Sequence, residues 1–409
     1  MDNQLSLSII LYIFPFIVGV VWKMAKISFS SLKPVGLATI VVLAIFLFFA
    51  VKIDSSNKFL AFSVLLSCAC VVFSQEESRQ ASEVCSSSLI TLGLTLGTLL
   101  GQELAGRLFL CGLLGFSAFS IIRKKNRSFR TTLIFFHFIV AIVLTLSSAT
   151  GDDNLQMLAS LFLAVTFLPL VPFHLPFVGI IASTQGALSS FWIVVWLAIG
   201  LAELNIIYPL LSGETLFILS LLSLISAFYS SLAALGQKQS NSFVAAATVA
   251  YVSLVWGLLN VFPSFPRWGI SFGIAVAFVL GGICLSFSFV RHRYGWQTIG
   301  KLPGLASPMP RYGTLMVLLV SFTLFLPMLP TFTGLTVMPM VDTLDIKFIK
   351  IFLLFLAVWL GGGWFFLQML HQTAFGAART GVPYTDLKIR ELIAVSVLLI
   401  GAGYSGLIY

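Results

Sequence analysis

Charged residues are scarce in this chain: only 9% of its 409 residues are Asp, Glu, Lys or Arg. Soluble domains carry about 25% charged residues, because charge keeps their surfaces in water. The hydrophobic fraction is 59%, which fits a protein whose solvent is lipid. The sequence therefore predicts an integral membrane protein. It contains no recognisable soluble domain, low-complexity tract or nucleotide-binding loop.

Cysteine and histidine are also rare, with five and four residues. The Cys68-x-Cys70 pair could suggest a metal site, but helical spacing puts the two side chains on nearly opposite faces. Buried thiols are the better interpretation. No histidine has a metal-ligating partner at useful spacing, and no carboxylate pair, flavin signature or haem signature is present. We therefore expect no metal, no cofactor and no catalytic centre in this chain by itself.

Apolar runs of the length needed to cross a bilayer, about 20 residues, occur throughout the chain. They predict about fourteen transmembrane helices at 6–22, 34–52, 57–74, 82–101, 104–122, 131–149, 154–172, 184–204, 215–235, 242–262, 268–290, 312–341, 347–370 and 389–408. The first run lacks a basic flank and a cleavage site, so it is interpreted as a helix and not as a signal peptide. The twelfth contains Pro327 and Pro330, which predicts a break at mid-depth. A second break is predicted in 169–176.

Lys and Arg are distributed unevenly between the two alternating sets of loops. One set holds 17 basic residues: Lys23, Lys26, Lys33, Arg79, Arg123, Lys124, Lys125, Arg127, Arg130, Lys238, Arg291, Arg293, Lys301, Arg311, Arg379, Lys388 and Arg390. The other set holds 6: Lys52, Lys58, Arg107, Arg267, Lys347 and Lys350. The richer set is predicted to be cytoplasmic, which puts both termini on the non-cytoplasmic side of an inner or organellar energy-transducing membrane. Topology explains the net charge of +9, so we expect no nucleic-acid partner.

Five segments occur in an order and spacing that resemble the antiporter-like subunits of respiratory complex I (L, M and N types) and of Mrp sodium/proton antiporters. They are Val171-Pro-Phe-His174, Ser183-Thr-Gln-Gly186, Ala234 through Ala246, Pro303-Gly-Leu305 with Met309-Pro310, and Leu326-Pro327 through Gly334. The resemblance spans essentially the whole chain and is nearest to the M or N type. It implies an all-α fold of about fourteen transmembrane helices, with two inverted five-helix repeats and broken helices 7 and 12.

The resemblance also implies an organisation and partners. One membrane domain, 1–409, would contain helices 1–3 in 1–80, a first repeat in 81–204, a second repeat in 205–370 and helix 14 in 371–409. Other integral membrane subunits and lipids are the expected partners. The assembly would be a complex like NADH–quinone oxidoreductase or a hydrogenase.

Members of this family move protons along a row of buried charged residues, and the resemblance assigns each of those positions to a residue of this chain. The positions fall on Gly112, Phe167, Trp196, Asn241, Val276 and Leu335. All six residues are uncharged, whereas an ionisable residue at that depth normally signals function. We therefore expect a chain that has kept the fold and lost the proton path, and that serves as a structural or docking subunit.

Five ionisable residues remain as candidates for a surviving path: Glu103, Arg107, His137, His174 and Glu203. Glu103 and Arg107 lie four residues apart and are expected to pair on one helix. Glu203 is expected to snorkel to the outer surface. His137 is interpreted as a hydrogen-bonded packing residue in preference to a proton relay. His174 is expected to cap backbone groups that the break leaves free.

Two alternatives stay open. The chain could translocate protons or sodium, or serve an inorganic-carbon uptake system, through Glu103, His137 or residues of a partner. It could also be an unrelated polytopic carrier whose loop motifs match by chance. A flux measurement separates the first alternative from a structural role, and the fold decides the second.

Overall fold

The computed structural model of the chain describes residues 2–25, 29–49, 54–123, 129–148, 153–184, 186–260, 262, 265–295, 298–328 and 346–407. Within these ranges the regular structure is helical, apart from one isolated bridge between Gln239 and Thr298. The predicted all-α class is confirmed.

Fifteen α-helices are described. They are α1 Asp2–Ala25, α2 Phe29–Phe49, α3 Ser55–Ser74, α4 Arg79–Leu100, α5 Glu103–Ile122, α6 Phe129–Ser147, α7 Asp153–Phe167, α8 Leu175–Ser183, α9 Leu188–Ile207, α10 Gly213–Gly236, α11 Ser240–Leu258, α12 Phe265–Tyr294, α13 Pro310–Phe325, α14 Ile346–Thr373 and α15 Ile389–Ser405. Short 3₁₀ turns follow α9 and α13, at Tyr208–Leu210 and Leu326–Met328.

Polar residues between the apolar runs set where several helices begin. Asp54 precedes α3 and accepts a hydrogen bond from the N–H of Ser56 at 3.1 Å. Ser78 does the same for α4, from the N–H of Ala81 at 3.0 Å, and Ser212 caps α10. Such side chains satisfy N–H groups that have no partner inside the helix.

Nine helices in the described ranges are long and apolar enough to cross a bilayer. Shorter apolar stretches add Leu11–Ala25, Lys33–Phe49, Leu155–Phe167 and Pro310–Phe325. The multi-pass membrane fold is therefore confirmed, while the count of fourteen spans stays a prediction.

The central helices and the peripheral ones differ in how much of their surface the bundle covers. In α12 every residue of the most apolar stretch is buried, and in α11 89% are, whereas in α6 only 22% are. The exposed side chains of α6, α10 and α14 are large and apolar, as a lipid-facing surface allows. The core of the molecule therefore lies around α9, α11 and α12.

Glycines allow a close crossing between α1 and α4. A Cβ added at Gly19 would lie 2.8 Å from the backbone nitrogen of Ile90, and one added at Gly93 would lie 2.7 Å from that of Phe16. Because both helices present glycine at the crossing, their backbones approach more closely than side chains would permit.

The predicted break in the seventh span is confirmed, because α7 ends at Phe167 and α8 begins at Leu175. The intervening turn contains a cis peptide bond between Val171 and Pro172. At the predicted break in the twelfth span, α13 ends at Phe325 and the 3₁₀ turn over Pro327 follows. The rest of that break, with Pro330, lies outside the described residues.

Candidate functional site

Phe167 and Trp196, which stand where the resemblance implies lysines, contact each other in the centre of the bundle. Both side chains are fully buried, and their ring centroids are 4.7 Å apart. The rings of Phe138, Phe177 and Trp192 surround Trp196, with centroids 6.2 to 6.4 Å away. We call these five residues the aromatic cluster. Its rings occupy the part of the bundle where the resemblance implies buried charged residues.

Two indole N–H groups satisfy carbonyl groups that the end of α7 leaves without helical partners. Trp196 Nε1 donates to the carbonyl of Thr166 at 2.9 Å. Trp256 Nε1, on α11, donates to the carbonyl of Leu168 at 3.0 Å. A broken helix inside a membrane needs such donors, because the hydrocarbon supplies none. The break is therefore stabilised by aromatic side chains of neighbouring helices.

The backbone of α9 packs closely against the end of α7 at Gly200. A Cβ added at Gly200 would lie 2.6 Å from the nitrogen of Leu168 and 2.7 Å from the carbonyl carbon of Phe167. On another side of the turn, Ser226 Oγ of α10 accepts a hydrogen bond from the N–H of Val171 at 3.2 Å. Helices α9, α10 and α11 together enclose the break.

Asn241, at the position where the resemblance implies the lysine of helix 10, ties the start of α11 to the end of α8. Its Nδ2 lies 3.1 Å from the carbonyl oxygen of Ile181, 3.3 Å from that of Thr184 and 3.1 Å from Ser189 Oγ. The hydroxyl oxygens of Thr184 and Ser189 are 2.9 Å apart. A neutral amide thus satisfies the last carbonyls of α8.

The three other positions of the expected row are placed as follows. Val276 lies in the middle of α12 and is buried. Gly112 lies on the exposed side of α5. Leu335 lies outside the described residues. None of the five described positions carries an ionisable side chain.

Arg107 forms a buried ion pair with Glu203, which joins α5 to α9. Arg107 Nη1 donates to Glu203 Oε1 at 2.8 Å, and Nη2 donates to Ser160 Oγ of α7 at 3.2 Å. The Glu203 side chain is 7% exposed. The prediction that Glu203 snorkels to the surface is wrong, because a cation from another helix neutralises it inside the bundle. Glu103 begins α5, but its side chain lies outside the described part, so its pairing with Arg107 stays a prediction.

His137 and His174 lie on either side of the break. His137 Nε2 is 2.8 Å from Thr166 Oγ1, and its ring stacks on Phe162 with centroids 4.9 Å apart. His174 is the residue before α8, and its ring lies 5.6 Å from that of Tyr229. The side chain of His174 makes no capping hydrogen bond at the start of α8, which corrects that part of the expectation.

The sequence analysis did not identify three residues that contact the break, namely Trp256, Ser226 and Gly200. A signal for Trp256 was available, since a tryptophan in the middle of a membrane span needs an acceptor for its N–H. Ser226 and Gly200 had no such signal, because serine and glycine are common in membrane helices.

The chain is similar in sequence to NADH-quinone oxidoreductase subunit M, although no protein-family profile matches it. The protein of that name from Rickettsia bellii (strain RML369-C) is 28% identical over 252 residues, which cover 59% of this chain and 50% of that protein. The one from Rickettsia prowazekii (strain Madrid E) is 27% identical over 251 residues, covering 58% and 50%. The chain spans about half the length of the curated relatives it matches.

Solved structures share the fold over nearly the whole chain. A chain of respiratory complex I from Thermus thermophilus with bound NADH superposes with a TM-score of 0.73 at 15% identity, covering 96% of this chain and 94% of that one. A chain of the archaeal membrane-bound sulfane sulfur reductase gives 0.72 at 13% identity, covering 97% and 75%. A chain of the Mrp complex from Dietzia sp. DQ12-45-1b gives 0.70 at 14% identity, covering 94% and 83%.

These likenesses decide between the interpretations of the motifs. An unrelated carrier would share neither the fold nor the sequence of subunit M, so that alternative is wrong. The resemblance inferred from the loop motifs is confirmed. The chain is a multi-pass membrane protein that is similar in sequence to subunit M and shares its fold with chains of respiratory complex I and the Mrp complex.

Proposed function

We propose that this chain is a structural or docking subunit of a larger membrane assembly and does not conduct protons. The contact between Phe167 and Trp196 carries the proposal, because these rings stand where the resemblance implies lysines. Water would have to separate two fully buried rings to cross this depth. It would also have to compete for the carbonyl of Thr166, which Trp196 already occupies. In the described part of the chain, the interior at these two positions is therefore filled by packed rings, which leave a proton no continuous route past them.

The names of the similar proteins support a place in a multi-subunit complex. Subunit M belongs by name to NADH-quinone oxidoreductase, and the structural neighbours come from respiratory complex I, a sulfane sulfur reductase complex and an Mrp complex. By analogy, this chain would assemble with other integral membrane subunits, through the large apolar side chains that α6, α10 and α14 expose. Lipid would cover whatever surface the partners leave free.

The proposed orientation places the lysine- and arginine-rich loops in the cytoplasm and both termini on the opposite side. Contacts between those loops support it. The N–H of Ile299 donates to the carbonyl of Lys238 at 2.8 Å, and the N–H of Gly304 donates to that of Phe375 at 3.1 Å. Three loops of the basic set therefore lie at the same end of the bundle. The division into inverted repeats at 81–204 and 205–370 is proposed with it.

Reconstitution into liposomes tests the absence of conduction. A potassium diffusion potential would be imposed across the membrane, and proton entry followed by quenching of a pH-sensitive dye. We expect the rate of protein-free liposomes, with full quenching only after an ionophore is added. Proton flux that is lost in Glu103→Gln or His137→Ala would contradict the proposal.

Purification tests the proposed assembly. The chain would be extracted in mild detergent from its native membrane, and co-migrating proteins identified after native electrophoresis. We expect a stable complex with other integral membrane proteins in fixed ratio. A chain that migrates alone, at the mass of a monomer with its detergent, would contradict a docking role.

One observation favours ion translocation as a second candidate. The His137 ring is hydrogen-bonded to Thr166 directly beside the break, where family members would carry their proton path. The Phe162 ring that stacks on His137 argues against a continuous path there. The liposome experiment decides between the two candidates.

A further inference from the structure

A cavity of about 30 Å³ lies between the start of α11 and the end of α14, at the end of the bundle that holds the basic loops. The late part of α12, the loop after it and the start of α13 complete its wall. Hydroxyl groups come from Ser240, Thr298, Tyr312 and Thr373, and the other residues that line it are apolar or glycine. The cavity shares no residue with the aromatic cluster.

Backbone hydrogen bonds hold two segments of the wall in place. The N–H of Ile299 donates to the carbonyl of Lys238 at 2.8 Å, just before α11 begins. The N–H of Leu305 donates to the carbonyl of Thr373 at 3.0 Å, at the end of α14. Because the backbone itself makes these contacts, the wall keeps its shape when side chains rotate.

Tyr312 brings a polar atom to this wall that the described residues do not satisfy. The residue is fully buried, and its hydroxyl oxygen has no hydrogen-bond partner in the described ranges. Its backbone N–H donates to Asp386 Oδ1 at 3.2 Å, which fixes the start of α13 and leaves the phenol free to bond elsewhere. A buried hydroxyl without a partner destabilises a fold, so a partner is expected wherever space allows one.

Thr373 offers a complementary acceptor in the same wall. Its hydroxyl donates to the carbonyl of Met369 at 2.8 Å, so its hydrogen is used while a lone pair stays available. Ser240 is also buried, and its hydroxyl can either donate or accept. Buried water makes about two to four hydrogen bonds to such groups. The wall therefore provides enough polar partners for one water molecule.

Space and charge restrict what the cavity can hold. One water molecule needs about 10–15 Å³ of free space, so a cavity of about 30 Å³ admits water and excludes larger molecules. None of the residues that line it carries a charge. An ion would lose its hydration there without a compensating charge, which makes a neutral ligand the better fit.

We propose that this cavity binds a structural water molecule that accepts a hydrogen bond from Tyr312 and donates to Thr373 and Ser240. The water joins α11, α13 and α14 through side chains that are too far apart in the chain to be paired by local sequence. This role is independent of whether the chain conducts protons.

Water-edited solid-state NMR of the full-length protein in liposomes tests the proposal. Tyrosine would be labelled with ¹³C at Cζ, and the signals of Tyr312 and Tyr251 would be identified by their loss in Tyr312→Phe and Tyr251→Phe. We expect magnetisation from water to reach the Tyr312 signal early. A Tyr312 signal that builds up no earlier than that of Tyr251 overturns the proposal.

Tyr251 is the matched control because its hydroxyl is equally buried and also has no partner among the residues that the structure describes. It differs in the space around it. Gly362 of α14 packs against it, and a Cβ added at Gly362 would lie 2.7 Å from Tyr251 Oη. We therefore expect water magnetisation to reach Tyr251 late.

Thr373→Val is a second variant, which keeps the shape of the side chain and removes the acceptor. It should delay the transfer from water to Tyr312, and an unchanged transfer contradicts the bridge. Thermal unfolding in detergent gives an independent sign. Tyr312→Phe should lower the melting temperature because the water loses a partner, whereas Tyr251→Phe removes an unpaired hydroxyl and should not lower it. A melting temperature that rises in Tyr312→Phe overturns the proposal.

Replacing sodium chloride with choline chloride at equal ionic strength distinguishes water from a small cation. We expect the melting temperature of the wild-type chain to stay the same in the two salts. Stabilisation by sodium that is lost in Tyr312→Phe would identify the ligand as a cation and overturn the proposal of water.

Discussion

A tryptophan inside a membrane bundle must find an acceptor for its indole N–H, because lipid offers none. Trp196 and Trp256 find theirs in carbonyls of the broken helix, so each indole and its acceptor satisfy each other. This pairing is a residue-level reason why lysine is absent: a lysine at 196 would need water or a carboxylate in a place that rings now fill. The same pairing makes the aromatic cluster sensitive to small changes.

Replacing Trp196 with phenylalanine should destabilise the protein. The carbonyl of Thr166 loses its donor and stays buried, which costs about 1–3 kcal/mol, and the smaller ring leaves a void. Thermal unfolding in detergent, followed by loss of the monodisperse peak, measures the effect. Trp364→Phe is the matched control, since Trp364 is 68% exposed. Equal melting temperatures of the two variants would contradict the assigned role of the indole.

The pair of Arg107 and Glu203 should behave as a coupled unit. Removing one partner leaves the other charge buried, which costs about 3–5 kcal/mol, whereas removing both costs less. We therefore expect Glu203→Gln to lower the melting temperature strongly, and the double variant Arg107→Met with Glu203→Leu to recover part of it. The exposed pair of Arg123 and Glu83, 4.0 Å apart, is the control and should show almost no coupling. Additive effects at Arg107 and Glu203 would mean that the ion pair does not form.

At the scale of elements, the turn between α7 and α8 depends on how closely its neighbours approach. Its position was predictable, because Pro169, Pro172 and Pro176 interrupt an apolar run. The donors that satisfy its free carbonyl groups were not predictable, because Trp196 and Trp256 lie 30 and 88 residues away from those carbonyls in the chain. Hydropathy shows where a helix stops and says nothing about which neighbour supplies the missing donors.

Gly200→Ala should separate α9 from the end of α7. The new methyl group would meet backbone atoms of Phe167 and Leu168, which cannot rotate away as a side chain could. Overpacking of this kind costs about 1–3 kcal/mol. Gly115→Ala is the matched control, because a Cβ there meets nothing within 4 Å among the described residues. The measurement is the melting temperature in detergent. A Gly200→Ala protein as stable as Gly115→Ala would show that α9 and α7 can move apart freely.

At the scale of the whole molecule, the charge of the loops predicts which end faces the cytoplasm. Glu214→Cys lies in the first turn of α10, and Lys238→Cys lies just after that helix ends, so the two positions mark opposite ends of the helix. Both residues are exposed. In right-side-out membrane vesicles, a membrane-impermeant maleimide should label Glu214→Cys and spare Lys238→Cys until detergent is added. The wild-type chain gives the background from its five cysteines. The reverse labelling pattern would invert the topology.

The sequence by itself determined the solvent of this protein, the approximate limits of its helices and the interruption of the seventh span, because these follow from local composition and from proline. Motif order also identified its relatives. The tertiary structure alone decided which partners the buried polar groups of the interior find. The ion pair between Arg107 and Glu203 joins segments far apart in the chain. The hydrogen bonds that Trp196 and Trp256 donate do the same. A hydrogen bond between distant helices depends on their packing angle and register, which no local pattern encodes.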